Sequence, residues 1–259
     1  MRVDLHNHTT LCNHAEGKMS EYIESAIKQK IDIFGFSDHG FMDFDPEYRM
    51  KKDEIEPYLS EIKRLKELYS GQIEILSGFE VDYLKGEMSD LILNAPVDYL
   101  IGSVHFLKKW GFDNPEFIGR YESENIDELW RSYFKEIEDM AKSGLFQIAG
   151  HLDLLKVFKF LPSERLDILA ENSLKAIKNS GMAIEINGSG YRKPIGEPYP
   201  NIDIVKMASD MNIPITLGSD AHKPEQVGMF HRELEKVVKD VGYKEIAIFR
   251  DKKIELIEL

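Results

Sequence analysis

The feature that most constrains the fold is an alternation of short apolar runs with longer segments of helical periodicity, along nearly all 259 residues. The apolar runs predict strands at 3–6, 31–36, 73–79, 99–104, 146–149, 182–186 and 215–217. The periodic segments predict helices at 20–30, 57–69, 88–93, 126–142, 163–179, 204–211 and 234–239. Such alternation implies parallel strands joined by right-handed crossovers, and seven units favour a closed or nearly closed α/β barrel.

We expect one domain over residues 1–259, because no low-complexity linker and no internal repeat interrupts the alternation. Residues 243–259 carry a second pattern, which predicts a strand hairpin appended to the barrel. Residues 106–125, with Gly111, Pro115 and Gly119, are predicted to be a long loop. The acidic stretch within and beyond this loop, 113–128, is interpreted as a solvated loop or as a lid over a substrate.

Histidine and acidic side chains gather where the predicted strands end. Six of the seven units carry them, Asn187 takes the remaining place, and His231 follows no strand. The candidate ligands are His6, His8, His14, His39, Glu80, His105, His151, Asp220 and His222. In a β/α barrel the carboxyl ends of the strands form one rim, where active sites lie. Imidazole and carboxylate are ligands for zinc, manganese and iron, so the pattern predicts a site for several metal ions.

The local spacing agrees with this interpretation. His6 and His8 are two residues apart on a strand, so both side chains can face one ion. Glu80 has two carboxylate oxygens and can bridge two ions. Asp220 and His222 form a similar pair, although Ser-Asp is also common in turns. Each of these motifs alone is weak evidence for a metal site. The prediction rests on their shared position on the rim.

Charge and cysteine content exclude several classes of protein. The formal net charge of −13 disfavours a long polyanionic partner, and no stripe of Lys and Arg is present. The single cysteine, Cys12, rules out a disulfide within the chain and a cysteine-rich zinc site. No apolar run has the length of a membrane span and the first residues do not form a signal peptide, so we expect a cytoplasmic protein without membrane contacts. The sequence indicates no oligomeric state.

Six motifs together resemble the polymerase-and-histidinol-phosphatase (PHP) superfamily. They are 4–9 (DLHNHT), 36–40 (FSDHG), 78–83 (GFEVDY), 102–106 (GSVHF), 150–153 (GHLD) and 218–222 (GSDAH). Two further segments, 151–156 (HLDLLK) and 186–194 (INGSGYRKP), are similar to the stand-alone histidinol-phosphate phosphatases. The resemblance implies a distorted (β/α)7 barrel with three divalent ions of zinc, manganese or iron.

The resemblance also implies how the ligands divide among the ions. His6, His8, Glu80 and Asp220 would hold the first ion. Glu80, His105 and His151 would hold the second, with Glu80 as the bridge. His14, His39 and His222 would hold the third. All of these positions are filled by the expected residue types.

The activity implied is hydrolysis of the phosphomonoester L-histidinol phosphate, a step of histidine biosynthesis. A hydroxide bridging the first two ions would attack phosphorus in line. Arg192 and Lys156 would bind the phosphate, Lys156 standing where relatives have an arginine and so lacking the bidentate fork. Asp153, or water on a metal ion, would protonate the leaving alcohol.

Two other functions are compatible with the same ligands. A phosphodiesterase, nuclease or nucleotide phosphatase would use the same ions, but the acidic surface and the lack of interleaved aromatic and basic residues argue against a long nucleic-acid track. A non-catalytic metal scaffold would be expected to lack ligands or to carry an added partner domain, and the sequence shows neither.

Overall fold

A computed structural model describes residues 1–259. The strands are β1 (Val3–Asp4), β2 (Ile33–Phe36), β3 (Glu74–Asp82), β4 (Tyr99–Ser103), β5 (Phe106–Leu107), β6 (Trp110–Gly111), β7 (Ile148–Ala149), β8 (Ala183–Asn187), β9 (Ile215–Gly218), β10 (Glu245–Arg250) and β11 (Lys253–Glu258). The α-helices are α1 (Met19–Lys28), α2 (Ile55–Leu68), α3 (Asp90–Leu93), α4 (Ile126–Ser143), α5 (Leu166–Ser180), α6 (Ile202–Asp210) and α7 (His231–Asp240). None of these helices combines the length and the apolar character needed to cross a membrane.

Seven strands form one parallel sheet in the order β1-β2-β3-β4-β7-β8-β9. The two edges of this sheet meet, because the N–H of Leu5 donates to the carbonyl of Leu217 at 3.0 Å and Asn7 forms a parallel bridge with Ala221. The sheet is therefore a barrel, and the strands vary from two to nine residues in length. The predicted (β/α)7 barrel is confirmed.

The strands read as nearly continuous apolar runs because both of their faces are covered. All four residues of β2 and all five of β4 are buried. Parallel sheets whose two faces are packed show this pattern rather than a polar–apolar alternation. The helices contribute one apolar face each, as α4 does with Trp130, Tyr133 and Ile137. One buried apolar cluster extends through the chain from Val3 to Phe249.

The β10–β11 hairpin lies at the amino ends of the barrel strands. The guanidinium of Arg250 contacts Glu74, the first residue of β3, at 2.7 and 2.8 Å. The N–H of Lys252 donates to the carbonyl of Asp98, directly before β4. The ammonium group of Met1 donates to the carbonyl of Glu258. The hairpin thus covers the end of the barrel opposite the predicted metal rim, and its residues 246–249 are buried.

Several predicted boundaries differ from the structure. β3 continues through Glu80 to Asp82, because Asp82 still pairs with Ser103 of β4. The predicted loop 106–125 instead contains the β5–β6 hairpin and the 3-10 helix Pro115–Ser123. The helix predicted at 163–179 begins at Leu166 instead, and the hydroxyl and N–H of Ser163 both donate to Asp127, near the start of α4.

Candidate metal centre

Glu80 lies at the centre of the histidine cluster, on β3, and is 1% exposed. Its Oε2 faces His6 Nε2 at 3.2 Å, His8 Nε2 at 3.5 Å and His39 Nδ1 at 3.3 Å. His6 and His8 follow β1, and His39 follows β2, so three neighbouring strands deliver these groups. The long β3 brings the carboxylate up to the level at which the shorter strands have already ended.

The other oxygen of Glu80 faces the opposite side of the cluster. Oε1 is 2.9 Å from His151 Nε2 and 3.7 Å from His105 Nε2, and it also accepts the hydroxyl of Ser103 at 2.6 Å. His105 follows β4 and His151 follows β7. The two oxygens of one carboxylate therefore separate two groups of imidazoles, which is the arrangement that a bridging ligand requires.

Asp220 and the remaining histidines complete the cluster. Asp220 Oδ1 is 3.2 Å from His8 Nε2, and Asp220 Oδ2 accepts a long hydrogen bond from Asn187 Nδ2 at 3.4 Å. His14 Nε2 lies 2.9 Å from His222 Nε2. Nitrogen atoms of His14, His222 and His39 all lie within 4.8 Å of one another. The structure thus brings all nine predicted ligands to one rim, including the loop residue His14.

At two of the histidines, the ring nitrogen that faces away from the cluster is held by an acidic residue that the sequence analysis missed. Glu185 Oε1 lies 2.6 Å from His6 Nδ1, and Asp82 Oδ1 lies 2.7 Å from His105 Nδ1. A carboxylate behind a histidine orients the ring and leaves the other nitrogen available to a metal ion. The signal for Glu185 was an acidic residue inside the apolar strand β8, and for Asp82 a position two residues after Glu80 on the same strand.

The buried nitrogens test whether this set fits metal ions. His6 Nε2, His8 Nε2 and His39 Nδ1, which all face Glu80, are buried and have no hydrogen-bond partner in the protein. An unsatisfied buried polar atom is costly, and native proteins rarely leave one without a partner. Three such nitrogens in one cluster, beside two carboxylates, are explained by coordination. The donor set of imidazole nitrogen and carboxylate oxygen suits zinc, manganese or iron.

The electrostatics of the cluster ionise its central carboxylate and divide its histidines into two groups. Burial opposes ionisation of Glu80, but the surrounding imidazoles, chiefly that of His6, outweigh it and hold the pKa of Glu80 well below its usual value. Burial lowers the pKa of His39 and of His222. At His6, His8 and His105 burial acts in the same direction, but nearby carboxylates outweigh it and raise the pKa. Neutral imidazoles are the forms that coordinate a cation, so metal binding would displace protons from these three histidines.

The cluster opens into a cavity of about 580 Å³, lined in part by Arg192. The guanidinium Nη2 donates to the carbonyls of Ser219 at 2.9 Å and Asp220 at 2.8 Å, which ties Arg192 to the loop that carries a metal ligand. The other terminal nitrogen, Nη1, is buried and has no protein partner. A fixed guanidinium with a free donor beside a metal cluster is suited to an anionic group.

Lys156 and Asp153 lie elsewhere, and neither lines the cavity. Both are fully buried, and Lys156 Nζ contacts Asp153 Oδ2 at 2.9 Å and Glu197 Oε1 at 2.7 Å. Lys156 Nζ also donates to the carbonyl of Pro198. Because these partners occupy the ammonium group, the geometry does not support phosphate binding by Lys156 or proton transfer by Asp153. The sequence showed their types and their proximity to His151, but not the direction of their side chains.

Arg49 also lines the cavity and was not selected from the sequence. It is 3% exposed, and its guanidinium donates to Asp82, to Asp45 Oδ2 at 3.2 Å and to the carbonyl of Phe44 at 3.4 Å. Through Asp82 it supports the orientation of His105. No sequence pattern marks Arg49, because it lies in the irregular connection between β2 and α2.

A closed parallel barrel with a cluster of histidines and carboxylates at the carboxyl ends of its strands defines a β/α-barrel protein with a metal-binding rim. The family model for the PHP domain matches residues 4–189, and the model described as PHP-associated matches residues 198–242. The chain belongs to the PHP family, and the resemblance identified from its motifs is confirmed.

Similar proteins extend over nearly the whole chain. A probable histidinol-phosphatase of Deinococcus radiodurans is 38% identical over 97% of this chain and 98% of its own length. The histidinol-phosphatase of Bacillus subtilis is 31% identical over 87% of this chain and 95% of its own. The solved structure of histidinol phosphate phosphatase from Lactococcus lactis, a complex with zinc, L-histidinol and phosphate, has a TM-score of 0.81, 22% identity and 98% coverage of both chains. At this identity the structural match shows a shared fold.

Proposed function

We propose that this protein is a metal-dependent phosphomonoesterase that hydrolyses L-histidinol phosphate to L-histidinol and phosphate. The observation that carries the proposal is the cluster of seven histidines and two carboxylates, which opens into a cavity beside the unpaired Nη1 of Arg192. The names of the relatives from Deinococcus radiodurans and Bacillus subtilis support the substrate, and so do the ligands in the Lactococcus lactis structure.

The ligand geometry supports three ions divided as the family resemblance implies. One set is His6, His8, Glu80 and Asp220, a second is Glu80, His105 and His151, and a third is His14, His39 and His222. When bound, divalent ions lower the pKa of water and neutralise phosphate charge, which supplies the nucleophile and much of the electrostatic stabilisation. The residues of this chain hold the ligands in place: Glu80 presents one oxygen to each side, and Glu185 fixes the ring of His6.

Arg192 is the residue we assign to the phosphate. Its Nη2 is already held by two carbonyls, so Nη1 can donate to a phosphate oxygen with little further loss of side-chain freedom. Lys156 and Asp153 receive a different role, that of a buried ion pair that joins the loop after β7 to the segment before α6. Of the two cationic residues predicted from the sequence, Arg192 alone would bind the phosphate, together with the metal ions.

The test is phosphate release by protein that has been stripped of metal and reloaded with manganese, zinc or iron. L-Histidinol phosphate is compared with an aryl phosphate and an aryl phosphodiester. We expect metal-dependent turnover with a strong preference for L-histidinol phosphate. Preference for the diester would overturn the monoesterase assignment, and absence of turnover by fully loaded protein would overturn the proposed activity.

A matched pair of substitutions links the activity to the cluster. His39→Asn removes a predicted ligand, whereas His231→Asn alters the one histidine outside the cluster, which contacts the carbonyl of Val3 at 3.2 Å. We expect His39→Asn to lose bound metal and nearly all turnover, and His231→Asn to retain both. Equal loss in two variants that remain folded would argue against the assigned centre.

A further inference from the structure

The cavity wall formed by the connection between β4 and α4 carries one acidic side chain without a partner. Asp113 lines the cavity and is half-buried, yet no hydrogen bond or ion pair joins its carboxylate to another group of the protein. The other carboxylates of the cavity wall are engaged: Asp45 contacts Arg49, and Glu80 and Asp220 face the histidines. Asp113 is thus a negative charge in the reaction cavity that the metal centre does not use.

The position of Asp113 relative to the metal centre is fixed through its neighbour Phe112. The N–H of Phe112 donates to the carbonyl of His105 at 3.2 Å, and its carbonyl accepts the hydroxyl of Tyr121 at 3.0 Å. Phe112 is fully buried and Tyr121 is 1% exposed, with its ring stacked on Phe160 at 4.4 Å between centroids. The backbone that carries Asp113 is therefore anchored both to a residue of the metal cluster and to the core.

Apolar side chains of the same connection line the same cavity. Phe106, Pro115 and Phe117 all contribute to the wall. The ring of Phe117 is 49% exposed, although large apolar side chains in most of this connection are buried. An open aromatic ring and an unpaired carboxylate in one cavity are suited to a cationic and partly aromatic group, because the ring face attracts cations and stacks on flat groups.

A lone carboxylate repels a phosphate dianion that carries no cation of its own, so its place in this cavity favours a substrate that carries a cationic group. The substrate of the proposed function has one, since its amine is on the carbon next to the one that bears the phosphate ester. We propose that Asp113, together with Phe117 of the same connection, forms the subsite for the ammonium and imidazole groups of the substrate and so determines specificity. This inference rests on the proposed function.

The test compares Asp113→Asn with the wild type on three substrates: L-histidinol phosphate, its analogue without the amine, and an aryl phosphate that carries no cationic group. Loss of a hydrogen bond to a charged group corresponds to about 10- to 100-fold in kcat/KM. We expect a loss of this size for L-histidinol phosphate, mainly in KM, and almost none for the other two substrates. Asp113→Glu should recover part of the loss. Glu116→Gln, an exposed acid of the same segment that does not line the cavity, serves as the matched control and should behave as the wild type.

The outcomes separate the two proposals. If the wild type does not hydrolyse L-histidinol phosphate, the proposed function fails. If it does, but Asp113→Asn reduces turnover of all three substrates equally or of none, the proposed function stands and the subsite is overturned. A loss that Glu116→Gln reproduces would show a general effect of negative charge near the cavity mouth, and it would also overturn the subsite.

Discussion

Glu185 Oε1 lies 2.6 Å from His6 Nδ1, and both side chains are 1% exposed. The same carboxylate accepts the backbone N–H of His151 through Oε2 at 3.0 Å. Room for it depends on Gly218, because a Cβ there would lie 2.1 Å from Glu185 Oε1 and 2.7 Å from His6 Cβ. One acidic residue of β8 therefore links two metal-ligand loops on opposite sides of it.

Replacing Glu185 by Gln keeps the size of the side chain but removes its charge. We expect metal affinity to fall about 10- to 100-fold, because the neutral amide supports the ring of His6 less strongly as a ligand. Competition with a chelator of known affinity would measure the change. Glu171→Gln, at an exposed position of α5 that pairs with Lys175, is the control. Unchanged affinity in Glu185→Gln would contradict the role assigned to this residue.

Substitution of Arg192 tests phosphate binding. Inhibition by inorganic phosphate should weaken about 10- to 100-fold in Arg192→Ala, since hydrogen bonds to charged groups contribute about 1.5–3 kcal/mol each. Arg192→Lys should recover only part, because lysine keeps the charge without the planar fork. Metal content must be measured in parallel, as Arg192 also contacts the carbonyl of Asp220. Arg64→Ala, at an exposed site on α2, is the control, and equal inhibition in Arg192→Ala and the control would refute the assignment.

Lys156→Met should reduce stability and leave the chemistry intact. It strands Asp153 as a buried carboxylate, and breaking a buried ion pair on one side costs about 3–5 kcal/mol. Burial already raises the pKa of Asp153 despite the nearby ammonium group. Removing both charges in Lys156→Met/Asp153→Leu should restore part of the unfolding free energy. Denaturant unfolding measures the free energy of unfolding of each variant. A large rise in KM of Lys156→Met at full metal content would contradict this prediction and would support phosphate binding by Lys156.

Asp98 gives the stability a defined dependence on pH. Burial opposes its ionisation, but the N–H of Ser77 and the ammonium of Lys66, at 2.8 and 2.9 Å, outweigh burial and hold the pKa of Asp98 below its usual value. A carboxyl group with a depressed pKa stabilises the fold above its unfolded pKa, and this contribution is lost as pH falls through the folded value. Asp98→Asn should therefore cost about 1–2 kcal/mol near neutral pH.

The difference between wild type and Asp98→Asn should narrow below about pH 4, where the wild-type carboxyl also becomes protonated. Urea unfolding across this range would measure it. Asp240→Asn, at an exposed end of α7, should show no comparable trend. If the difference in unfolding free energy between the two proteins stays constant with pH, the charge of Asp98 is not what stabilises the fold.

The sequence predicted the barrel and the nine clustered residues because both depend on order along the chain. Strands and helices alternate regularly along the chain, so the end of each strand can be predicted from the sequence. A residue such as His105, directly after a predicted strand, is thereby assigned to the rim. The orientation of side chains depends instead on packing between distant segments. Lys156 was expected to face the phosphate, but Glu197 and Pro198, about forty residues further on, hold it inside. Glu185 was missed for the same reason, since its partner His6 is 179 residues away.

The β10–β11 hairpin at the amino ends of the barrel strands limits access to the candidate metal centre. With β10 and β11 covering the amino ends of the strands, His6 and Glu80, each 1% exposed, can be reached only from the rim side. Substrate, products and metal ions would then enter and leave through the same opening of the cavity. An anion resting in the cavity stands between the innermost ligands and the solvent, so bound phosphate should slow the extraction of metal by chelators.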